Sequence, residues 1–541
     1  MWSVLSLAAL LGGTGLLLAA FGRWNFLGWH GRETQSITFR APDDVLLTPA
    51  QKVCAWFFFV MAALFVAQTL LGGASEHYRA DLQTFFGVDL GRILPFNIVR
   101  TWHLQLSIFW VSTSYLAAGI FLAPMVAGRE PRGQKLFAYG LLGALVIVVA
   151  GSLLGEFAGI QGLIHNVWIG NQGLEYLDLG RLWQILLTIG LFFWVIILYR
   201  GLRGRLVSDH LGNMPWLFFF SALSIPAFYG VGLLAHPGQH FTTTEFWRFW
   251  VVHLWVEDFL ELFTTILVAY IFVLMGVVHE GMALRMIYLD VILYSAGGIV
   301  GTMHHVYFSG EPALHMALGA FFSAAEVIPL TFLTLEAWSF LQLGVVQESR
   351  SATPFPHYWA VMFLAAVGFW NFLGAGIFGF LINLPIVSYY EIGTALTANH
   401  AHASMMGVYG MLSAGLALFC LRYIIPQQHW SDKAAKVSFW SLNLGLAWMV
   451  FATLFPLGML QLYHSISVSY YDARTLAYIG SRANSVLEWL RMPGDIVFIL
   501  GGTLPILYLS ALGIRYLGKD TSMEALEGVL FTEVVTPNQR S

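Results

Sequence analysis

Residues 399–410 read NHAHASMMGVYG, in the middle of an apolar run that extends over 394–424. On an α-helix, positions i and i+2 point about 200° apart. His400 and His402 therefore cannot easily share one metal, but each can hold a separate group on opposite sides of one helix. An ionisable side chain inside a bilayer is costly and is a functional candidate by default.

The rest of the chain supplies that bilayer setting. Of 541 residues, 58% are hydrophobic and 10% charged, and the mean hydropathy is +0.70. A soluble domain of this size needs far more charge to cover its surface, so the composition indicates a polytopic membrane protein. The net charge of −4 offers no basic patch for nucleic acid. Cys54 and Cys420 are the only cysteines and no CxxCH occurs, which excludes a disulfide scaffold, a cysteine zinc site and a covalently attached c-type haem.

Apolar runs long enough to cross a bilayer fall at roughly 3–22, 53–73, 99–127, 136–157, 181–199, 215–235, 246–278, 287–307, 313–343, 357–386, 394–424, 436–463 and 493–517. The expected fold class is an all-α polytopic membrane protein with about 13 transmembrane helices. Residues 3–22 lack the basic start of a signal peptide and read as a first membrane helix. The expected organisation is an N-terminal transmembrane helix and cytoplasmic loop over 1–52, a twelve-helix catalytic core over 53–519, and a polar, frayed tail over 520–541. Arg129, Arg132, Lys135, Arg200, Arg203, Arg205, Lys433, Lys436, Arg515 and Lys519 all fall on one side if the helices alternate. That side is the cytoplasm by the positive-inside rule, which places the N-terminus outside.

Under this topology His103, His253, His304, His305, His400 and His402 lie in the outer half of the membrane, with Glu257 four residues after His253 on one helix face. A lone membrane histidine is as readily a helix-to-helix hydrogen bond as a ligand. Six at one depth favour metal or haem ligation. His103 is the natural partner of one of the 400/402 pair; a haem with two axial histidines carries electrons, and one with a single histidine keeps a position open for chemistry. His253, His304 and His305 remain as a three-imidazole site with Glu257 as an oxygen ligand. Imidazole alone suits copper, zinc or iron, and the carboxylate shifts the balance towards non-haem iron. No tyrosine stands one turn after His253, where an oxidase would carry its cross-linked phenol.

The motifs RTWHLQLSIFW (100–110), GNQGLEYLDLGRLWQ (170–184), VVHLWVED (251–258), HHVYFSG (304–310), GAFFSAAEVIPL (319–330), FWNFLGAGIFGFLIN (369–383), HAHASMMGVYG (400–410) and RMPGDIVF (491–498) resemble those of the quinol-dependent nitric oxide reductases, in the haem–copper oxidase superfamily. The resemblance covers about residues 20–517 and implies a twelve-helix haem–copper oxidase-like core plus one N-terminal helix. It implies low-spin haem b on His103 and His402, high-spin haem b3 on His400, and a non-haem iron, FeB, on His253, Glu257, His304 and His305. Glu326 and Glu261 would be further acidic residues near that centre. Two NO, two electrons and two protons would give N2O and water.

The electron donor implied is quinol. His77, Asp81 and Phe85 are spaced four apart, as on one helical face, and with Asp495 they resemble the family's quinol pocket. An ordinary amphipathic interfacial helix would show the same spacing. The loop 170–184 would border haem propionates, with calcium at Glu175 an open expectation, as is a homodimer. The implied location is a bacterial inner membrane, with the active centre towards the outer face.

The sequence departs from the family pattern at Asp81, where glutamate is usual, and at Asp258, where glycine is usual. The family's further N-terminal helix and hydrophilic outer domain have no counterpart before residues 3–22, and the expectation is either a natural short form or a truncated start. Three other functions compete. NO dismutation to N2 and O2 is disfavoured by the intact His304–His305 pair, and quinol oxidation by O2 by Glu257 and the missing tyrosine. A non-catalytic haem carrier would need no third metal.

Overall fold

The computed structural model describes residues 1–23, 36–39, 41–81, 85–207, 212–348, 355–518, 522 and 531–534. Each predicted apolar run coincides with a long helical run. In chain order these are α1 (Trp2–Arg23), α2 (Pro49–Ala80), α3 (Phe96–Ala127), α4 (Gln134–Ile160), α5 (Arg181–Leu202), α6 (Met214–Leu234) and α7 (241–274). They continue as α8 (Glu280–Thr302), α9 (Ala313–Glu348), α10 (Tyr358–Asn383), α11 (Ala395–Ile424), α12 (Asp432–Ser467) and α13 (Arg482–Arg515).

Among the described residues, 10 helices are long and apolar enough to cross a membrane, fewer than the 13 expected. Trp2–Leu16 at the start of α1 is a further, shorter apolar helix. The other two are α7, which carries Glu257, Asp258 and Glu261, and α8, which carries Glu280, Arg285 and Asp290.

Local sequence explains where helices begin and end. Thr48 and Gln51 form a reciprocal capping box at the start of α2, with Pro49 in its first turn. Ser431 accepts the Ala434 N–H at 3.2 Å to cap α12. Gly128, at φ 74°, closes α3 in the left-handed conformation.

Hydrogen bonds tie the predicted basic loops together at one end of the bundle. Glu130 accepts from Ala50 N–H at 2.8 Å, Arg200 donates to Arg132 O at 3.0 Å, and Lys52 donates to Leu517 O at 3.2 Å. Ile147, Leu154, Ile189, Ile292, Leu444 and Leu500 are more than half exposed on the flanks. Such a contiguous apolar surface would be a liability in water and is the expected lipid-facing belt.

α1 packs along α9, with Ser6 Oγ donating to Ala317 O at 2.8 Å. The only strands among the described residues, Ser36–Phe39 and Phe531–Val534, pair antiparallel. Phe531–Val534, within the tail expected to be frayed, is thus tied by backbone pairing to the segment before α2.

Among the described residues, five helices contain π-helical stretches: Trp250–Leu260 in α7, Asn371–Phe378 in α10, His402–Gly410 in α11, Met449–Leu454 in α12 and Val497–Thr503 in α13. π-turns concentrate at functional sites because they re-aim side chains within a helix. The first and third hold predicted ligands.

Candidate metal and haem sites

The π-helical stretch of α7 presents His253 and Glu257, and a 3-10 turn at Met303–His305 ends α8. The tighter turn lets the adjacent histidines converge, with the His304 and His305 ring centroids 4.1 Å apart at 60°. Candidate ligand atoms of His253, Glu257, His304 and His305 all lie within 4.8 Å of one another. The predicted four-residue set is thus brought together by the fold.

The set is also held in place. His253 Nδ1 is hydrogen-bonded to Glu257 Oε2, and Ser323 Oγ of α9 donates to Glu257 Oε1 at 2.6 Å. Phe249 stacks on His305 with centroids 5.0 Å apart at 6°. Yet His253 Nε2 and both ring nitrogens of His304 are buried without a hydrogen-bond partner. Orphaned buried polar atoms cost about 1–3 kcal/mol each. A divalent metal satisfies them, and three imidazoles with one carboxylate leave coordination positions open on iron, so the residues fit the implied group.

A second site lies between α3 and α11. The His103 and His402 rings are near-parallel, 27° apart, with centroids separated by 6.2 Å. Metal–imidazole bonds are about 2.0–2.1 Å, so this separation accommodates one metal ion between the two rings. His103 Nδ1 is 2.9 Å from Gln68 O and His402 Nδ1 is 2.8 Å from Ala398 O. Such bonds fix the tautomer and leave Nε2 for ligation. A cleft opens here, lined by His103, His402, Gly72, Met406, Arg491 and Asp495 among others. A Cβ on Gly72 would sit 2.7 Å from His103 Cε1, so the cradle requires glycine. Both rings and the cleft fit a bis-histidine haem.

His400 faces the other way. Its Nδ1 is 2.8 Å from Gly374 O of α10, and a Cβ on Gly379 would lie 2.8 Å from its Cε1. The opposite orientations expected of His400 and His402 are therefore present. Sequence reasoning missed the supports: Ser323, three residues before Glu326 on the same face, and the glycine pair on α10.

Glu326, Asp258 and Glu261 are 1%, 1% and 3% exposed. Asp258 points at Gly298 of α8, where a Cβ would be 3.2 Å from its Oδ2, and Glu326 at Gly297.

The proposed quinol face is not helical throughout, which corrects the reading of its spacing. α2 ends at Ala80, with Asp81 as its extended C-cap at φ −124°, ψ 95°. Phe85 and Val88 form a two-way bridge around Phe86 and Gly87, at φ 49° and 78°. Two successive positive φ values make a hairpin turn, which glycine at the second position favours. The turn still brings Phe85 to His77, with centroids 4.5 Å apart, and the Phe86 N–H donates to His77 Nε2 at 2.8 Å. Asp495 is held at 3.1 Å by Arg491, which also reaches Glu76 at 3.4 Å.

In the loop 161–180, the two Glu175 oxygens are taken by Arg100 and Arg248. Burial favours its neutral form, but the two guanidiniums outweigh that and hold its carboxyl below the usual range. A calcium ion there would have to displace them. Asp178 goes the other way: burial pushes it up to about 6 against the hydrogen bond from Gln105. An unfolded aspartate titrates near 3.9, so between roughly pH 4 and 6 the folded state retains a proton that the unfolded chain has lost. Its burial therefore costs stability increasingly across that window and fully above it. Asp178→Asn is expected to raise the thermal midpoint at pH 7 by about 1–3 °C, with the gain vanishing below about pH 4. Thermal unfolding of both proteins across pH 4–8 checks this.

Comparisons with known proteins agree with the geometry. A family model described as Cytochrome C and Quinol oxidase polypeptide I matches residues 52–497. A nitric oxide reductase subunit of Stutzerimonas stutzeri is 26% identical over 462 residues, which span 84% of this chain and 93% of that protein. A haem–copper terminal oxidase dimer, solved by cryo-EM, superposes with a TM-score of 0.63 at 14% identity, covering 90% of this chain and 88% of the other. At that identity the likeness concerns the fold alone. The family match over most of its length, with which the paired histidines and the buried histidine–glutamate cluster agree, places this chain in the haem–copper oxidase superfamily, as a membrane oxidoreductase of the cytochrome c and quinol oxidase polypeptide I family.

Proposed function

We propose that the chain reduces nitric oxide to nitrous oxide: two NO, two electrons and two protons give N2O and water. The observation that carries this reading is Glu257, whose carboxylate joins three histidines and is held by Ser323 at 2.6 Å. A carboxylate in the ligand set favours non-haem iron over copper. The likeness to part of a nitric oxide reductase adds support.

In this reading His103 and His402 hold low-spin haem b, His400 holds haem b3, and His253, Glu257, His304 and His305 hold iron. These groups, when bound, supply one-electron transfer and open positions for two small diatomic molecules. The chain's own residues do the rest. Ser323 and His253 fix the Glu257 carboxylate in one orientation. Phe249 covers His305 and helps exclude water. Glu326 and Glu261, buried beside the site, hold protons for the oxygen that leaves as water. Quinol donates at the outer end, where His77 and Phe85 pack together and Asp495 lines the cleft that also holds His103. The setting is a bacterial inner membrane with the metal cluster towards the outer face.

Anaerobic incubation of the purified protein with NO and a reduced quinol tests the reading, with gases followed by mass spectrometry. N2O as product supports it; N2 with O2 indicates dismutation instead. Oxygen reduction is the second reading, favoured by the family match itself. O2 turnover without any NO turnover would establish that reading and overturn the first.

A further inference from the structure

We propose that one face of α8, running through Asp290, Tyr294, Gly297, Gly298 and Gly301, conducts protons from the basic end of the bundle to the acids beside the metal cluster. The inference rests on the redox chemistry of the family and on no particular acceptor, since two NO consume two protons and one O2 consumes four. Those protons must reach a site that is buried from both faces.

The spacing of these five residues puts them on a single helical face that leads to His304 and His305. Asp290 lies ten residues inside the start of α8, about 15 Å from the basic end at 1.5 Å per residue. His304 lies fourteen residues further, about 21 Å beyond it. Polar groups from the neighbouring helices meet this face between those points: Thr265 and Glu261 from α7, and Glu326 from α9.

The three glycines keep the face open. A Cβ at Gly297 would stand 2.7 Å from Glu326 Oε1, one at Gly298 3.2 Å from Asp258 Oδ2, and one at Gly301 2.9 Å from His253 Nε2. Any side chain here would occupy the space into which the Glu326 and Asp258 carboxylates and the His253 ring point.

The second observation is independent of the acids. Tyr294 Oη and Thr265 Oγ1 are buried with no hydrogen-bond partner, at 6% and 0% residue exposure. Both oxygens of Asp290 and Glu326 and one of Glu261 share that condition. A row of buried, unpartnered polar atoms is costly unless ordered water bridges them. Alternating protein groups and bridging waters make a proton wire. Each proton enters at Asp290 and passes Tyr294 and Glu261 to Glu326, with one proton leaving the last group for each taken up by the first. No group is oxidised or reduced along the way.

The test uses the haem-loaded protein in vesicles of defined orientation, with NO and O2 each tried as acceptor and pH dyes on either side. Asp290→Asn is expected to slow turnover at least tenfold, with haem spectra and metal content unchanged, and Asp290→Glu to restore it within about threefold. Tyr294→Phe removes only the hydroxyl and is expected to slow proton uptake several-fold while haem reduction keeps its rate. This variant decides the matter should Asp290→Asn fail to fold. Wild-type vesicles should take protons from the compartment facing the basic end. Wild-type rates in a folded Asp290→Asn or in Tyr294→Phe, or proton uptake from the opposite compartment, overturns the proposal. Turnover of O2 alone overturns only the choice of NO as acceptor; turnover of neither overturns both.

Discussion

Replacing His304 with alanine is expected to abolish turnover, by more than about a hundredfold, while both haem absorbance signals persist. The ring is fully buried, and neither nitrogen has a protein partner. Its removal leaves a small void and a depleted ligand set. Losing even an outer partner of a metal ligand costs 10–100-fold in affinity or activity, and losing a ligand costs more. His103, His402 and His400 lie on other helices and are not touched. Metal analysis alongside the absorbance spectrum checks the outcome: haem content unchanged and non-haem metal lost. Retention of the third metal with normal turnover would remove His304 from the ligand set.

The second large effect is expected at a residue with no side chain. Gly374→Val should strip both haems from the protein together. The Gly374 Cα abuts the α11 backbone so closely that a Cβ would lie 2.5 Å from Ala403 C and 2.8 Å from Ser404 N. Its carbonyl also accepts from His400 Nδ1. Valine would force α10 and α11 apart at the level of the ligand pair, and α11 carries both His400 and His402. Overpacking of this kind costs about 1–3 kcal/mol where neighbours can shift; backbone cannot shift as side chains do, so the cost here lies at or above that range. Haem per protein should fall by more than half, against a near-normal value for Leu373→Val one position away. Selective loss of one haem would show that the two sites are supported separately.

These two sites differ in how plainly the sequence announced them. The histidines were legible because hydrocarbon makes any buried imidazole conspicuous, and because hydropathy alone fixed the depth of each helix. His253, His304, His305 and Glu257 could be grouped on that basis, and their converging atoms agree. Gly374 was illegible as a support, since a glycine's role depends on which backbone passes it. The π-turns were equally hidden. Their pattern differs from an α-helix by one residue per turn, and the apolar periodicity of a fully buried helix carries no phase to reveal it. At His77, Asp81 and Phe85 a spacing of four suggested a helix, but α2 already ends at Ala80, and Phe85 belongs to a hairpin turn with Gly87. The ion pair from Arg491 to Glu76 joins residues 415 positions apart, and no local pattern can report such a contact.

The five π-turns also bear on how relatives of this chain should be aligned. A π-turn behaves as one residue added to a helix without lengthening the span it occupies. Deleting a residue from His402–Gly410 would return that stretch to an α-turn, leave the helix beyond it in register and re-aim the residues within the turn, His402 among them. In Met449–Leu454, which carries no proposed ligand, the same deletion leaves every histidine site in place. Homologues are therefore expected to show single-residue gaps in the second stretch and none in the first, so that gap positions, as well as shared letters, mark which turns of this bundle are under functional constraint.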